Sequence, residues 1–393
     1  MKKITLFQDK TRCCGCGACL QVCPVKAISM EEDDIGCLYP KIREDICIQC
    51  EKCVKACTYQ TPELAQPQCA YAAVGVQKET VKNSASGGVF AMLAKGCLEQ
   101  GGLVAGAVMA LENGSVQVYH TLSDQAEDVA KMQGSKYVHS QAWHCYGQIQ
   151  KGLKDGKTVL FSGTPCQVAA VKQITGNPEN LITLDLICHG VPPVKWLEEF
   201  VGLTGKQLGG TITELCFRDK AAPKPFTARF GIRRGKKQKT VRLRSSLLSY
   251  YQHFLESASY RENCYSCPYA KNQRTADLTI GDYWGIEKQH GDDMKSGRMP
   301  QRGDWSCLLV NSEKGRSFLQ TFGENLALWP TEFSAVAATN RQLSQPSSQH
   351  SDRYKLLRAY RKGGYRAVER LFVNKNGGRL RFWYRRRKAL GGK

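Results

Sequence analysis

The feature that most restricts how this chain can fold is a cysteine run that occurs twice. Cys13, Cys16, Cys19 and Cys23 are spaced C-x2-C-x2-C-x3-C and followed by Pro24. Cys47, Cys50, Cys53 and Cys57 repeat the spacing and end in Thr58 instead of proline. Spacing this tight puts three thiols on one short loop and the fourth on the helix behind it, a cage suited to a cubane iron–sulfur cluster. Gly15 and Gly17 let the backbone wrap closely and turn N–H groups toward sulfur. A zinc site would more commonly show C-x2-C pairs far apart. The runs therefore read as ligands of two 4Fe–4S clusters.

In two-cluster ferredoxins the fourth cysteine of each run serves the other cluster. The expected sets are Cys13, Cys16, Cys19 and Cys57, and Cys47, Cys50, Cys53 and Cys23, joined by a strand-like turn segment from Ile35 to Ile42. Cys14 and Cys37 fit neither set and read as bystanders. Residues 1–60 are expected to form a bacterial-type two-cluster ferredoxin domain.

The rest of the composition bounds the class. The chain has 393 residues, enough for two or three domains, and its 42% hydrophobic and 23% charged residues exclude wholesale disorder. Its 19 cysteines are clustered, Met1 to Lys10 lacks a signal-like apolar core, and no apolar run approaches the roughly 20 residues of a membrane helix. These features predict a reducing, cytoplasmic setting. The net charge is +21, of which +13 comes from Asp352 to Lys393, with 15 Lys/Arg against 2 Asp/Glu. Such a tail suits an acidic membrane surface at the inner face or an acidic partner, and Phe382, Trp383 and Tyr384 beside Arg385 to Arg387 suit an interfacial helix. A solvated basic helix is the plainer alternative, and nucleic acid is not expected as a partner.

Residues 61–82, with two prolines and little periodicity, read as a linker. Residues 83–335 alternate strand-like and helical segments, an α/β body. Strands are expected at Gly102 to Met109, Thr158 to Phe161, Leu181 to Leu186, Ala276 to Trp284 and Trp305 to Val310, with a basic β-like stretch between Thr211 and Ser246. Residues 336–393 read as a polar hinge and a basic, helical tail. The overall expectation is an α+β head on a mixed α/β body.

Several groups in the body could carry chemistry. Cys166 and Cys188 follow strands, and Cys264 and Cys267 form a C-x2-C pair before Pro268. Four such thiols could hold a third cluster, or two of them could be buried small hydrophobes or a nucleophile. The turn Ser84, Ser86, Gly87, Gly88 opens a helix and offers hydroxyls and free N–H groups to a phosphate, or is a plain helix cap. Gly134, Ser135, Lys136 and Tyr137 add a hydroxyl, a cation and a ring, although Lys136 reads equally well as a surface charge. His189 could donate a proton to a reduced substrate or flavin, or simply bond the backbone. Asp277 and Asp282 flank a strand ending in Tyr283 and Trp284, which suits a flat heterocycle or a core edge. Clusters carry single electrons while most organic reductions need two, so a flavin would bridge the regimes.

The order of pieces is more specific than any one. The paired cysteine runs are followed by S-x-S-G-G-V-F, G-S-K-Y-V, G-T-P-C-Q-V, D-L-I-C-H-G-V-P, C-x-x-C-P and A-D-L-T-I-G-D-Y-W-G. From about residue 3 to about residue 335 the chain resembles the family of coenzyme F420 hydrogenase/dehydrogenase beta subunits. The resemblance implies FAD in the body, electron exchange with the clusters, and hydride exchange with a deazaflavin or another flat or unsaturated small molecule. It implies an extra cluster at Cys166, Cys188, Cys264 and Cys267. It makes the Ser84–Gly88 turn, Gly134–Tyr137 and Asp282 candidate flavin contacts and His189 and Lys136 candidate catalytic residues. Expected partners are a ferredoxin or a catalytic subunit. A non-catalytic electron-transfer subunit, linked to surface polysaccharide as bacterial members often are by gene neighbourhood, is the alternative. Thr58 departs from the doubled proline pattern, and the basic tail lies outside the family core.

Overall fold

The computed structural model describes residues 4–112, 114–301 and 304–389, with the backbone alone for 378–389. In the head, β1 (Ile28–Glu32) and β2 (Leu38–Ile42) pair antiparallel with Ile28 opposite Ile42. The Asp33 carboxylate accepts from the backbone N–H groups of Ile35 and Cys37 at 3.1 and 2.9 Å and tightens their turn. Two four-residue helices, Ala18–Gln21 and Lys52–Lys55, carry Cys19 and Cys53. The two cysteine loops share one backbone path. Gly15 and Gly17 have φ of 67° and 78°, and their counterparts Gln49 and Glu51 have 55° and 56°.

The body begins earlier than expected. Cys69–Gly75, inside the segment read as a linker, forms β3. It is followed by β4 (Leu103–Glu112), β5 (Ser115–Ser123), β6 (Val159–Gly163) and β7 (Leu181–Leu186). A smaller set follows: β8 (Thr211–Cys216), β9 (Thr227–Arg234) and β10 (Lys237–Arg244). Last come β11 (Leu278–Asp282), β12 (Ser306–Val310) and β13 (Leu326–Thr331). The large sheet has the order β13-β3-β12-β11-β7-β6-β4-β5, and β8 to β10 form a three-stranded antiparallel sheet. Strands β4, β6, β7 and β11 are mutually parallel, so their carboxyl ends open on one side of the sheet. β3 is buried on both faces and built of small apolar residues, so it shows no alternation to betray it.

Helices cover both faces. Leu160 and Ile182 point to a core with the helix Val89–Glu99, while their neighbours Val159, Phe161 and Leu181 point to one with Tyr146 and Ile149 of the helix Tyr146–Lys154. The helix Pro165–Thr175 is fixed at its start by a Thr164/Gln167 capping box with proline in the first turn, and at its end by left-handed Gly176.

The tail also differs from expectation. A long helix, Arg353–Ala389, is broken at Gly363 and Gly364. Leu356, Tyr360, Tyr365 and Val368 are buried with Trp196 and Phe200 of the helix Val194–Leu208, and Phe372 is buried against His253. Glu199 holds the break, accepting from the Tyr360 hydroxyl and the Tyr365 N–H at 2.7 Å each. The residues before this helix are packed too: Val336 and Leu343 are fully buried, and Ser347, in the polar segment Ser344–Ser351 read as a hinge, is buried as well. The five large side chains buried from Leu356 to Phe372, at about 1.5–3 kcal/mol each, make the first part of the tail belong to the body. The side chains of Phe382 to Arg387 lie outside the described residues. Among the described residues, no helix is long and apolar enough to cross a membrane.

Candidate functional site

Two thiol-lined hollows sit in the head. Cys13, Cys16, Cys19 and Cys57 border one, together with Cys14 and Cys53, and Cys23, Cys47, Cys50 and Cys53 border the other. Each hollow thus takes thiols from both runs. Burial pushes the Cys13 thiol up to about 12, and Cys16 and Cys57 push the same way while Arg261 pulls it down. Cys50 is exposed and Ile48 is 60% exposed, so the second hollow faces outward.

The first hollow faces the body. A Cβ on Gly17 would stand 2.7 Å from Trp143, and one on Gly15 would stand 2.9 Å from the Arg261 guanidinium. The glycines are required because the body approaches there, a reason invisible in the sequence. Cys37 lies in the core shared by head and body, near Tyr39 and Trp196, whose indole N–H donates to the Ile35 carbonyl at 3.1 Å.

Topology gathers a third set of thiols. Cys166 sits in the first turn of Pro165–Thr175 with its sulfur 3.2 Å from the Thr164 hydroxyl, and Cys188 follows β7. Cys264 lies in the short 3-10 helix Glu262–Ser266, and Cys267 follows it. All four line one small chamber with His189. Burial, then the thiols of Cys264, Cys166 and Cys267, drives the Cys188 pKa well above its ordinary value. Burial pushes Cys264 and Cys267 up to about 12. Cys14, read as a bystander, lines this chamber as well, and its neighbours Cys16 and Cys166, with burial, hold its thiol protonated, well above the ordinary range. Among the described residues no three Cys, His or carboxylate side chains converge on a point that would hold a single metal ion. Thiols that ligate the separate irons of a four-iron cluster stand further apart than those of a mononuclear zinc site.

A cavity of about 450 Å³ opens beside this chamber, over the carboxyl ends of β6, β7 and β11, where α/β sheets collect ligands. Cys188, His189 and Gly190 belong to the walls of both spaces. Ser84, Ser86 and Gly88 line one side, and Gly134, Ser135, Lys136 and Tyr137 another. Gly87 does not line it. Its N–H donates to the Ser306 hydroxyl at 2.9 Å, and a Cβ there would meet the Ala73 carbonyl at 2.3 Å. Gly87 is therefore a packing glycine that lets the turn lie on β3.

The individual groups are arranged as follows. Asp282 lies in the wall, paired to Arg218 at 2.7 and 2.8 Å and bonded by the Ser86 hydroxyl. The Arg218 guanidinium sits 6.0 and 5.9 Å from the rings of Phe226 and Trp284. Tyr137 stacks on Phe254 with centroids 4.3 Å apart. The Lys136 ammonium donates to the carbonyls of Lys131, Met132 and Gln133 at 2.7–2.9 Å. All three of its protons are used there, so it caps the helix Ala126–Met132 and fixes the Gly134–Tyr137 loop. Burial pulls its pKa down to about 7. Burial also lowers the His189 pKa, against a smaller opposing pull from Asp282, and the His189 carbonyl accepts from Ser347 at 2.7 Å.

Sequence reasoning missed His120, Arg218 and Arg261. His120 is stacked on Phe161 with Nε2 at 3.1 Å from the Ser162 carbonyl, while its buried Nδ1 has no partner. Burial lowers its pKa to about 4, so the ring is neutral. A signal was present: Val116, Val118 and His120 alternate inward along β5.

Comparison with known proteins follows this layout. Residues 12–61 match the model of a 4Fe-4S dicluster domain. Residues 70–144 and 156–334 match the N-terminal and C-terminal models of the coenzyme F420 hydrogenase/dehydrogenase beta subunit, together more than half of the chain. The protein MJ1349 of Methanocaldococcus jannaschii is 27% identical over 208 residues, 44% of this chain and 56% of the relative. A subunit of the F(420)H(2) dehydrogenase of Methanosarcina mazei is 24% identical over 190 residues, 45% of this chain and 53% of the relative. The chain thus spans about half the length of the curated relatives it matches. A chain of the F420-reducing NiFe hydrogenase complex from Methanosarcina barkeri aligns over 80% of this chain and 94% of its own, at 16% identity and a TM-score of 0.44. On the two matched models, this chain belongs to the family of coenzyme F420 hydrogenase/dehydrogenase beta subunits.

Proposed function

We propose that the chain is an iron–sulfur flavoprotein oxidoreductase in which three 4Fe–4S clusters lead to FAD in the large cavity. The observation that carries this reading is the shared wall. Cys188, His189 and Gly190 separate the four-thiol chamber from the cavity, so a one-electron site and a flat-ligand site stand back to back. A bound flavin would supply the exchange between single electrons and hydride.

The chain's own residues then have definite tasks. Cys13, Cys16, Cys19 and Cys57 hold the inner head cluster, Cys47, Cys50, Cys53 and Cys23 the outer one, and Cys166, Cys188, Cys264 and Cys267 the body cluster. The exposed loop around Cys50 and Ile48 presents the outer cluster to a one-electron partner, a ferredoxin or a catalytic subunit. Cys14, which lines both the inner hollow of the head and the body chamber, stands between the two sites. In the cavity, the Ser84–Gly88 turn sets the start of the helix Val89–Glu99, whose first-turn N–H groups face phosphate, and Tyr137 and the apolar wall pack a flat ring system. Asp282, fixed by Arg218, accepts a hydrogen bond from the cofactor or substrate. Neutral His189 offers one N–H at the wall, and Lys136 positions its loop. The hydride partner is a deazaflavin or another flat or unsaturated molecule.

A second reading is an electron-transfer subunit without its own substrate. Its support is that one relative is named as one subunit of a dehydrogenase. Quantifying iron, acid-labile sulfide and flavin on anaerobically purified protein separates the two. About twelve irons and one FAD per chain support the flavoenzyme. About eight irons and no flavin sink it and leave the head's clusters alone.

A further inference from the structure

Arg261 is the largest charged side chain the molecule buries completely, at 0% exposure. Among the described residues, no carboxylate lies within ion-pair distance of it. Its guanidinium stacks 4.5 Å from the Tyr39 ring, Nε donates to Asn263 at 3.3 Å and Nη2 donates weakly to the Cys13 carbonyl at 3.4 Å. Nη1 has no partner at all. The backbone N–H of Arg261 is anchored on the Val191 carbonyl at 2.9 Å. A buried cation without a counter-ion is costly, so such a group persists where something negative faces it.

The groups that act on it most are the Cys37 thiol and the Tyr39 hydroxyl, followed by thiols of two different sets, Cys13 of the inner head set and Cys264 of the body set. The inner loop lies against it, since a Cβ on Gly15 would stand 2.9 Å from the guanidinium. A four-thiolate cluster carries net negative charge in both redox states and gains one more unit on reduction, and net charge is one determinant of its potential. We propose that Arg261 is the shared counter-charge of the inner head cluster and the body cluster, stabilising the reduced form of each and raising both potentials. This rests on the three-cluster reading above. When an electron arrives from a donor at the head, no bond forms and no proton follows, because the fixed cation already offsets the added charge. Arg261 touches neither flavin nor substrate and acts as a tuning residue.

The test is an EPR-monitored redox titration of anaerobically loaded full-length protein, with Cys264→Ser used to assign the body signal. Arg261→Gln should keep about twelve irons and lower the reduced fraction of the inner and body clusters about tenfold at fixed potential, 59 mV for one electron. The outer cluster should not move. Arg261→Lys keeps the charge and should stay within about threefold of the parent. Full loading of Arg261→Gln with parental potentials overturns the proposal. If Arg261→Gln does not retain iron, Arg261→Lys decides: parental potentials support the proposal, and a tenfold drop overturns it. A parent with only eight irons marks failure of the three-cluster reading instead, and the Arg261 effect is then read on the inner head cluster alone.

Discussion

The two cysteine loops of the head have the same backbone and opposite surroundings. Both take positive φ at matching positions, yet the inner loop uses Gly15 and Gly17 where the outer uses Gln49 and Glu51. The inner loop is pressed against Trp143 and Arg261, and the outer is open, with Ile48 exposed. Ligation therefore fixes the φ angles, and contact with the body decides whether a side chain is tolerated there. The same contrast gives the head a direction: one hollow open to solvent and one facing the body.

The strongest way to break that contrast is to exchange residues between loops. Gly17→Glu places a Cβ 2.7 Å from Trp143 at a left-handed position and should cost more than about 3 kcal/mol in urea unfolding. Parental stability after this substitution would show that the head does not dock as described.

The dryness of the inner side extends to the cavity and can be titrated. His120 is 1% exposed, and its pKa falls from 6.5 to about 4 on folding. The unfolded chain therefore takes up the proton first, and stability should fall by roughly 3 kcal/mol between pH 6.5 and pH 4. His120→Gln should flatten that slope. Equal slopes with histidine and with glutamine at this position would mean that water reaches the ring.

A smaller effect concerns access. A chelator should strip iron from the Cys50 site about tenfold faster than from the Cys16 site, a difference of about 1.4 kcal/mol in barrier. Equal rates would erase the distinction between outward and inward hollows. The smallest effect is the reverse exchange. Glu51→Gly relieves a left-handed side chain but frees the unfolded chain, so stability should stay within about 1 kcal/mol of the parent.

What could be read from the sequence follows the same divide. The head's thiols are gathered by local spacing, and the run spacing alone makes them legible as a group. The body's thiols are gathered by topology. Cys166 and Cys188 could be suspected from strand ends and Cys264 and Cys267 from their C-x2-C spacing, but Cys14 meets them, and Arg261 meets Cys13, only through the docking of head on body. β3 escaped because a strand buried on both faces, flanked by Pro62 and Pro67, has no polar alternation. The tail escaped because its charge hid the spacing of Leu356, Tyr360, Tyr365, Val368 and Phe372. Lys136 shows the limit of reading residue types, since its cation is spent on three backbone carbonyls.

The place of β3 in the sheet has a consequence for how the chain is made. β3 is bounded on one side by Ser306–Val310 and on the other by Leu326–Thr331. At roughly 5–20 residues per second, a ribosome delivers those partners tens of seconds after β3 has emerged. The contacts within the head, such as β1 on β2, are short-range and can form early, whereas its docking on the body and the sheet itself carry long sequence separations, the slow kind of pairing. Cluster insertion into the head can therefore precede completion of the cavity, which waits for Ser306–Val310 and Leu326–Thr331 to close on β3.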